Sequence, residues 1–309
     1  MKRYLIKILL FFAIVAVVDM AIGGVADYMQ ANAKGGDTKL LNDFVARDQY
    51  DIIILGSSRA HHHYVPQVFK DSLGFDCYNG GRDGNGIIFQ YAIYKMITER
   101  YHPKLVIYDV EPAFDLYEYK EDVNHTRYLS ALKPYHKHPE VAQTFKDVST
   151  IEYIKVHSGL FRHNSALISI FIDFMVSRGD NTESSKGYSP LTGTMPQEHK
   201  YVDDEERVDD TLKQSYMLKL IKDASEHQIP LLIVASPKYG ANNSECFNVI
   251  KQYCKDYNVP FYDYYADSFF MAHPEYFKEP MHLNGDGAEL FTKVVVENIK
   301  NHDKSIMDN

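Results

Sequence analysis

Short apolar runs alternate with longer amphipathic stretches through most of this chain, and this alternation limits the fold more than any other feature. The short runs predict strands at 51–55, 75–78, 105–110, 231–235 and 260–262. The longer stretches predict helices at 86–100, 210–227, 243–257 and 287–301. Strands that alternate with helices form a parallel sheet whose two faces are covered by helices. The sequence therefore predicts a three-layer α/β fold.

The first 25 residues form a separate element, which is apolar behind a positively charged start. An uninterrupted apolar run covers residues 8–18, and apolar character resumes after Asp19; the basic residues are Lys2, Arg3 and Lys7. This order is typical of a cleaved secretory signal or of an uncleaved signal anchor. The stretch 4–25, about 33 Å as a helix, is long enough to span a bilayer. We favour an uncleaved anchor, with the rest of the chain on the exported side.

Three further segments follow this N-terminal element. Residues 26–47 are polar and rich in small residues, which is typical of a tether, and 48–309 are long enough for one large α/β domain. Within that domain the interval 112–209 interrupts the alternation of strands and helices. Its aromatic content and a predicted helix at 165–176 indicate a folded helical insertion rather than a disordered loop. Insertions over the carboxyl edge of a sheet commonly determine substrate choice.

Charge and motif spacing argue against several classes of protein. The net charge of −9 argues against a general nucleic-acid binder, because neutralising phosphates requires clustered Lys and Arg. The glycines at 81, 84 and 86 do not have the spacing of a dinucleotide-binding fingerprint. Consecutive helical residues point about 100° apart, so three histidines in a row at 61–63 are not expected to bind one ion. We predict neither a cofactor nor a metal, although one of these histidines could line a pocket beside Ser58.

Two short segments at opposite ends of the α/β region carry the candidate chemistry. Gly56-Ser57-Ser58 follows the first predicted strand directly, and a turn at a strand end exposes a serine oxygen to a substrate. Near the C-terminus, Glu279 lies three residues before His282, so one loop could carry the base and the carboxylate that such a serine needs. Ser57 is the local competitor of Ser58. The alternative interpretation is that both serines only cap the next helix.

Three motifs together resemble those of the SGNH (GDSL-like) hydrolase superfamily. They are Gly56-Ser57-Ser58 after one strand, Asn79-Gly-Gly-Arg-Asp-Gly84 after the next, and a late Glu-x-x-His-Leu-Asn-x-x-Gly from residue 279. The resemblance covers roughly 48–111 and 228–301 and is strongest to the membrane-anchored, exported branch. That branch includes proteins that transfer or remove acyl groups on cell-envelope polymers. The resemblance implies a flavodoxin-like, SGNH-type sheet.

The resemblance also implies roles for individual residues. Ser58 takes the place of the family nucleophile, His282 that of the base, and Glu279 stands where the family usually has Asp. Gly84 matches the glycine whose backbone N–H helps to stabilise the oxyanion.

The third family motif departs from the family pattern. The family normally has Gly-x-Asn-Asp after the third strand, and its Asn donates to the oxyanion, whereas this chain has Glu111 in the corresponding stretch 109–112. An ionised glutamate cannot donate a hydrogen bond. Either another donor replaces the Asn, or the chemistry is altered or lost; the candidate replacement donors are Asn79, Arg59 and Arg82.

Two functions remain open from the sequence. The first is an exported serine esterase or O-acyltransferase that acts on acyl esters of a cell-envelope glycan through an acyl-enzyme on Ser58. The resemblance also implies an integral-membrane partner that passes acyl groups to the exported domain. The second is a catalytically inactive SGNH-like protein that binds glycan or serves as an assembly scaffold. The missing Asn and the Glu at position 279 would permit that loss of activity.

Overall fold

A computed structural model describes residues 1–119, 125–177, 185–195 and 207–302 of this chain. The described residues form two compact units. The first unit contains residues 1–47 and 125–177, and the second contains 48–119, 185–195 and 207–302. The predicted division into anchor, tether and α/β domain remains a prediction. Parts of the predicted insertion, at 120–124, 178–184 and 196–206, and the last residues of the chain, 303–309, lie outside the described residues.

Nine strands occur in the described part of the chain. All five predicted strands are present, with bounds shifted by no more than two residues. The strands are β1 (Ile52–Gly56), β2 (Cys77–Asn79), β3 (Leu105–Asp109), β4 (Tyr117–Tyr119), β5 (Arg207–Asp209), β6 (Leu231–Ala235), β7 (Phe261–Asp263), β8 (Phe277–Glu279) and β9 (His282–Leu283).

The helices of the second unit include all four that the sequence predicts. They are α3 (Ser58–His63), α4 (Pro66–Leu73), α5 (Ile87–Thr98), α6 (Pro112–Asp115), α11 (Thr211–Glu226), α12 (Asn248–Asp256), α13 (Ser268–Ala272) and α14 (Gly285–His302). The helices of the first unit are α1 (Lys2–Ala31), α2 (Gly36–Ala46), α7 (Pro139–Val148), α8 (Thr150–Lys155), α9 (Gly159–His163) and α10 (Leu167–Met175). Short 3₁₀ helices cover His125–Tyr135, Glu245–Phe247 and Pro274–Tyr276.

The central sheet has five parallel strands in the order β2-β1-β3-β6-β7. The chain passes from β1 outward to β2 and then crosses back to β3 on the other side of β1. The strand order therefore reverses beside the carboxyl end of β1, which is where open α/β sheets bind their ligands. The predicted fold, a parallel sheet flanked by helices, is confirmed.

Successive side chains of the central strands point to opposite faces of the sheet, and those on one face build the main core. Ile52 and Ile54 of β1 are fully buried and pack in one cluster with Phe291 and Val295 of α14. Helices α3 and α4 pack against α14, whereas α5 packs against α11. Burying an isoleucine or phenylalanine side chain stabilises the fold by about 1.5–3 kcal/mol. Helices α3 and α14, the first and last of the unit, are therefore held on the same core as β1, the strand that precedes Ser58.

Gly56 allows β1 to end in a sharp turn. Its φ is 142°, and a Cβ at this position would lie 2.6 Å from the carbonyl oxygen of Asp109 on β3. Any side chain would push apart the two central strands, which pair in register from Ile52↔Leu105 to Gly56↔Asp109. Glycine therefore lets the chain turn immediately from the buried strand into α3.

The first unit contains the predicted anchor and most of the described insertion helices. Its helix α1 is long and apolar enough to cross a membrane. The segment predicted as a tether contains the end of α1 and the helix α2, in which Phe44 and Val45 are buried. The predicted helix at 165–176 is present as α10.

Candidate active site

Ser58 is the first residue of α3, which begins directly after the carboxyl end of β1. Ser57 occupies the N-cap position but makes no side-chain cap hydrogen bond, and it is fully buried. In the part of the chain that the structure describes, the Ser57 hydroxyl finds no hydrogen-bond partner. Ser58 is only partly buried. Of the two serines, Ser58 is therefore the more accessible.

A small hairpin brings Glu279 and His282 together. Strands β8 and β9 are antiparallel, and Glu279 lies opposite His282 in their register. The carboxylate Oε1 of Glu279 accepts a hydrogen bond from His282 Nδ1, and its Oε2 accepts one from the backbone N–H of Met281 at 2.9 Å. The short turn between the two strands thus fixes both oxygens of the carboxylate.

The three groups form a continuous hydrogen-bonded chain. His282 Nε2 lies 2.8 Å from Ser58 Oγ, although 224 residues separate the two in sequence. Because Glu279 holds the proton on Nδ1, Nε2 is the free nitrogen and accepts the Ser58 hydroxyl proton. This arrangement has the connectivity of a Ser–His–carboxylate triad.

The carboxylate of Glu279 is ionised at neutral pH. Partial burial would raise the pKa of Glu279, but hydrogen bonds from His282 and the Met281 N–H, together with the charge of Arg59, hold that pKa below its usual value. A charged carboxylate stabilises the imidazolium that forms when the histidine takes a proton. Glutamate can therefore fill the position at which the resemblance implies Asp.

A buried hydrogen-bond network ties the histidine strand to the serine helix. The backbone N–H of Leu283, next to His282, donates to His63 Nε2 at 3.0 Å, and His63 Nδ1 lies 2.9 Å from Ser236 Oγ. Burial, helped by the nearby charge of Arg59, holds the pKa of His63 well below its usual value, so its ring is neutral. His63 therefore locks β9 against α3 and holds His282 close to Ser58.

Arg59 lies in the interior beside this network. Its Nε donates to Ser236 Oγ at 3.2 Å, its Nη2 donates to the Ser236 carbonyl, and the guanidinium lies over the Tyr265 ring, 5.3 Å from the centroid. Burial raises the pKa of the neighbouring Asp109 to about 6, against the lowering effect of the Arg59 charge. In this structure Arg59 holds Ser236, the residue directly after β6, and its predicted role as an oxyanion donor remains a prediction.

Asn79 is the last residue of β2, and its side chain holds the end of α3 and the residues after it. Its Nδ2 donates to the carbonyls of Ala60 at 2.7 Å and Tyr64 at 3.0 Å, and its Oδ1 accepts from the Gly81 N–H at 2.9 Å. To donate to an oxyanion, the amide would have to give up one of these bonds. The oxyanion role of Asn79 remains a prediction.

Gly84 and Arg82, the other predicted pocket residues, lie in the loop after β2, and Glu111, which replaces the expected donor, lies just after β3. Gly84 is in an exposed turn with φ 69°, and open space lies where a Cβ would project. The Arg82 backbone N–H donates to the Gly56 carbonyl at 3.1 Å. Glu111 is buried, and its Oε2 accepts from the Phe114 N–H at 3.0 Å as the cap of α6. Glu111 thus serves a structural purpose in the place where the family motif has a donor.

Two of the three consecutive histidines converge on an aspartate that the sequence analysis did not single out. Asp83 Oδ1 lies 2.8 Å from His61 Nδ1 and 3.3 Å from His62 Nε2, and these three atoms are close enough to hold a metal ion. His62 Nδ1 lies 2.7 Å from the Ser189 carbonyl, and its ring lies 5.4 Å from that of His282. His63 points instead into the core, so the three rings do not share one site, as the 100° spacing predicts.

His62 is held toward its protonated form beside the candidate base. Burial opposes its charge, but the hydrogen bond to Asp83 and the bond to the Ser189 carbonyl raise the pKa of His62 above its usual value.

Because Asp83 supplies both a hydrogen bond and a negative charge, we expect Asp83→Asn to lower the pKa of His62. An imidazole NMR titration would measure this shift. Asp71→Asn, an exposed carboxylate on α4, should leave it unchanged, and an unaltered His62 pKa in Asp83→Asn would contradict the assigned contact.

Comparison with known proteins identifies similarity in structure but not in sequence. No family model matches the chain, and no curated protein matches it. Among solved structures, an acetyl xylan esterase is similar over 81% of this chain and 98% of its own, with 12% identity and a TM-score of 0.38. At that similarity, nothing about this chain's activity follows from the likeness.

Proposed function

We propose that this protein is a serine esterase or O-acyltransferase that acts on acyl esters of a glycan. The observation that carries the proposal is the hydrogen-bonded chain from Ser58 through His282 to Glu279, at the carboxyl edge of the sheet. The motifs that resemble the SGNH superfamily support the same assignment. In this proposal the domain is anchored by α1 and works on the exported side of the membrane.

The mechanism follows from the proton positions in the triad. Ser58 Oγ attacks the ester carbonyl carbon while His282 Nε2 takes its proton, and Glu279 stabilises the imidazolium. When the tetrahedral intermediate collapses, the imidazolium returns that proton to the departing sugar oxygen, which leaves an acyl group on Ser58. Water or a second hydroxyl then attacks the acyl-enzyme, and His282 again takes and returns one proton. Hydrolysis and transfer differ only in this acceptor.

Oxyanion stabilisation in this proposal depends on backbone donors. Ser58 opens α3, and the first N–H groups of a helix have no carbonyl partner within it. The N–H of Gly84 is the second donor that the family resemblance implies. Donors of this kind typically contribute several kcal/mol to transition-state stabilisation.

A polar cavity lies beside Tyr265, and its lining residues do not include Ser58, Glu279 or His282. It has a volume of about 250 Å³, and its lining includes Arg207, Asn242, Asn243 and Tyr265. Its amide and guanidinium groups are polar, but Tyr265 is only 2% exposed and offers no open ring face, so the proposed glycan substrate rests on the motif resemblance and not on this cavity. Tyr265 also lies against Arg59, the residue after Ser58.

The test is acetate release from an acetylated oligosaccharide by the full-length protein in detergent, with and without an unacetylated acceptor sugar. Release in the absence of acceptor supports an esterase, and acceptor-dependent transfer supports an O-acyltransferase. Saturable glycan binding without any turnover, unchanged in Ser58→Ala and His282→Ala, would overturn the proposal in favour of a glycan-binding or scaffold protein.

A further inference from the structure

The first unit contains a charged residue in the middle of its apolar helix. Asp19 interrupts α1, whose residues before it are exposed and mostly apolar. If α1 crosses the bilayer, Lys2 and Arg3 lie at one surface. Sixteen residues separate Arg3 from Asp19 (19 − 3), about 24 Å along a helix, whereas the hydrocarbon core is about 30 Å thick. Asp19 then lies inside the hydrocarbon region.

The polar partners of Asp19 come from the start of α9. Its carboxylate accepts hydrogen bonds from Ser158 Oγ at 2.7 Å and from the backbone N–H groups of Gly159 and Leu160, each at 2.9 Å. Inside lipid, polar groups must be satisfied by protein because no water is present. The start of α9 therefore has to lie at the same depth as Asp19.

The crossing of α1 and α9 has the close contact that is typical of packing between membrane helices. A Cβ on Gly159 would lie 2.4 Å from Gly23 Cα, so the two backbones nearly touch. Small residues permit this close approach. In lipid the hydrophobic effect does not drive helices together, so close packing of this kind is what holds them in contact. The α1–α9 contact is thus suited to a lipid environment.

Helix α10 continues this arrangement and leaves an apolar face uncovered within the unit. Phe174 contacts Tyr28 of α1, with ring centroids 6.0 Å apart, and Asp173 accepts from Thr38 Oγ at 2.9 Å. On the outer side the exposed fractions are 78% for Ile168, 53% for Phe171 and 56% for Met175. Their spacing of three and four residues places them on one helical face. We call these three residues the α10 face.

We propose that α9 and α10 enter the outer part of the bilayer beside α1, with the α10 face at the boundary between the acyl chains and the headgroups. Tyr28, which Phe174 contacts, lies 25 positions after Arg3 (28 − 3), about 38 Å along the helix, which is beyond the roughly 30 Å hydrocarbon core but within the roughly 40–45 Å of the whole bilayer. Lipid is the occupant because the α10 face belongs to a helix packed along α1 beyond Asp19, whose own partners lie at membrane depth. The inference rests on α1 crossing the membrane and is independent of the chemistry at Ser58.

The chain contains no tryptophan, so a single introduced tryptophan reports depth without background. Full-length Ile168→Trp and Phe171→Trp would be placed in phosphatidylcholine nanodiscs with brominated acyl chains, which quench tryptophan on contact. Leu10→Trp, within the apolar run of α1, is the reference for lipid contact. Gln143→Trp, exposed on α7 of the same unit, is the matched control for a site in water.

We expect brominated lipid to reduce the emission of both α10 variants at least half as much as that of Leu10→Trp, and to leave Gln143→Trp unchanged. Quenching of both α10 variants by aqueous acrylamide, but not by lipid, would overturn the proposal. Protection from both quenchers would also overturn it, because a protein surface would then cover the face. Far-UV circular dichroism would confirm that each variant is folded, and fluorophosphonate labelling would report Ser58 separately.

Discussion

Replacing Ser58 by alanine should abolish covalent labelling of the protein by a fluorophosphonate and reduce ester turnover by on the order of 10⁴-fold or more. The reason is that Ser58 Oγ is the oxygen within 2.8 Å of His282 Nε2 and is therefore activated by a base. Intact-mass measurement would show one adduct on the wild type and none on the variant.

The matched control is Ser57→Ala, in the adjacent position. Ser57 is fully buried, and its hydroxyl has no hydrogen-bond partner in the described part of the chain. Removing an unpaired buried hydroxyl costs little and can stabilise a fold, so labelling and unfolding midpoint should be close to wild type. If the adduct survives in Ser58→Ala and disappears in Ser57→Ala, the nucleophile is misassigned. If the folded wild type takes no adduct at all, the binding or scaffold function becomes the better interpretation.

Replacing Glu279 by glutamine should slow acylation of Ser58 by about 10³- to 10⁴-fold while leaving the fold intact. The neutral amide cannot stabilise the imidazolium, and its NH₂ group can donate to His282 Nδ1. The proton would then lie on Nε2, which could no longer accept the Ser58 hydroxyl proton. The rate of fluorophosphonate labelling, followed by mass against time, measures this effect.

Glu279→Asp is the informative companion variant because it keeps the charge and shortens the side chain by one methylene. The Glu279 carboxylate contacts both His282 and the Met281 N–H across the β8–β9 hairpin, so an aspartate should lose part of this fit. We expect its labelling rate to fall between those of the wild type and Glu279→Gln. Wild-type rates in both variants would show that the carboxylate does not orient His282.

The fold could be predicted because its signals are local. The run Ile52–Leu55 is apolar without alternation, as expected for a strand buried on both faces, and α14 repeats apolar residues at helical spacing. Each of these patterns depends on a few neighbouring residues. Strands β2 and β7 end one residue beyond the predicted bounds because their last residues, Asn79 and Asp263, are polar and do not continue the apolar run.

Local sequence patterns are enough to predict the parallel α/β architecture, the five strands of the central sheet and four helices of the second unit, and the motifs single out Ser58, Glu279 and His282. Which atoms meet depends on contacts between distant parts of the chain. In the folded chain Arg59 donates to Ser236, and Asn79 donates to the carbonyl of Ala60. Glu111 caps α6, and Asp83 contacts two histidines. The physical reason is that periodicity follows from local backbone geometry, whereas hydrogen-bond partners depend on which loops meet at the carboxyl edge of the sheet.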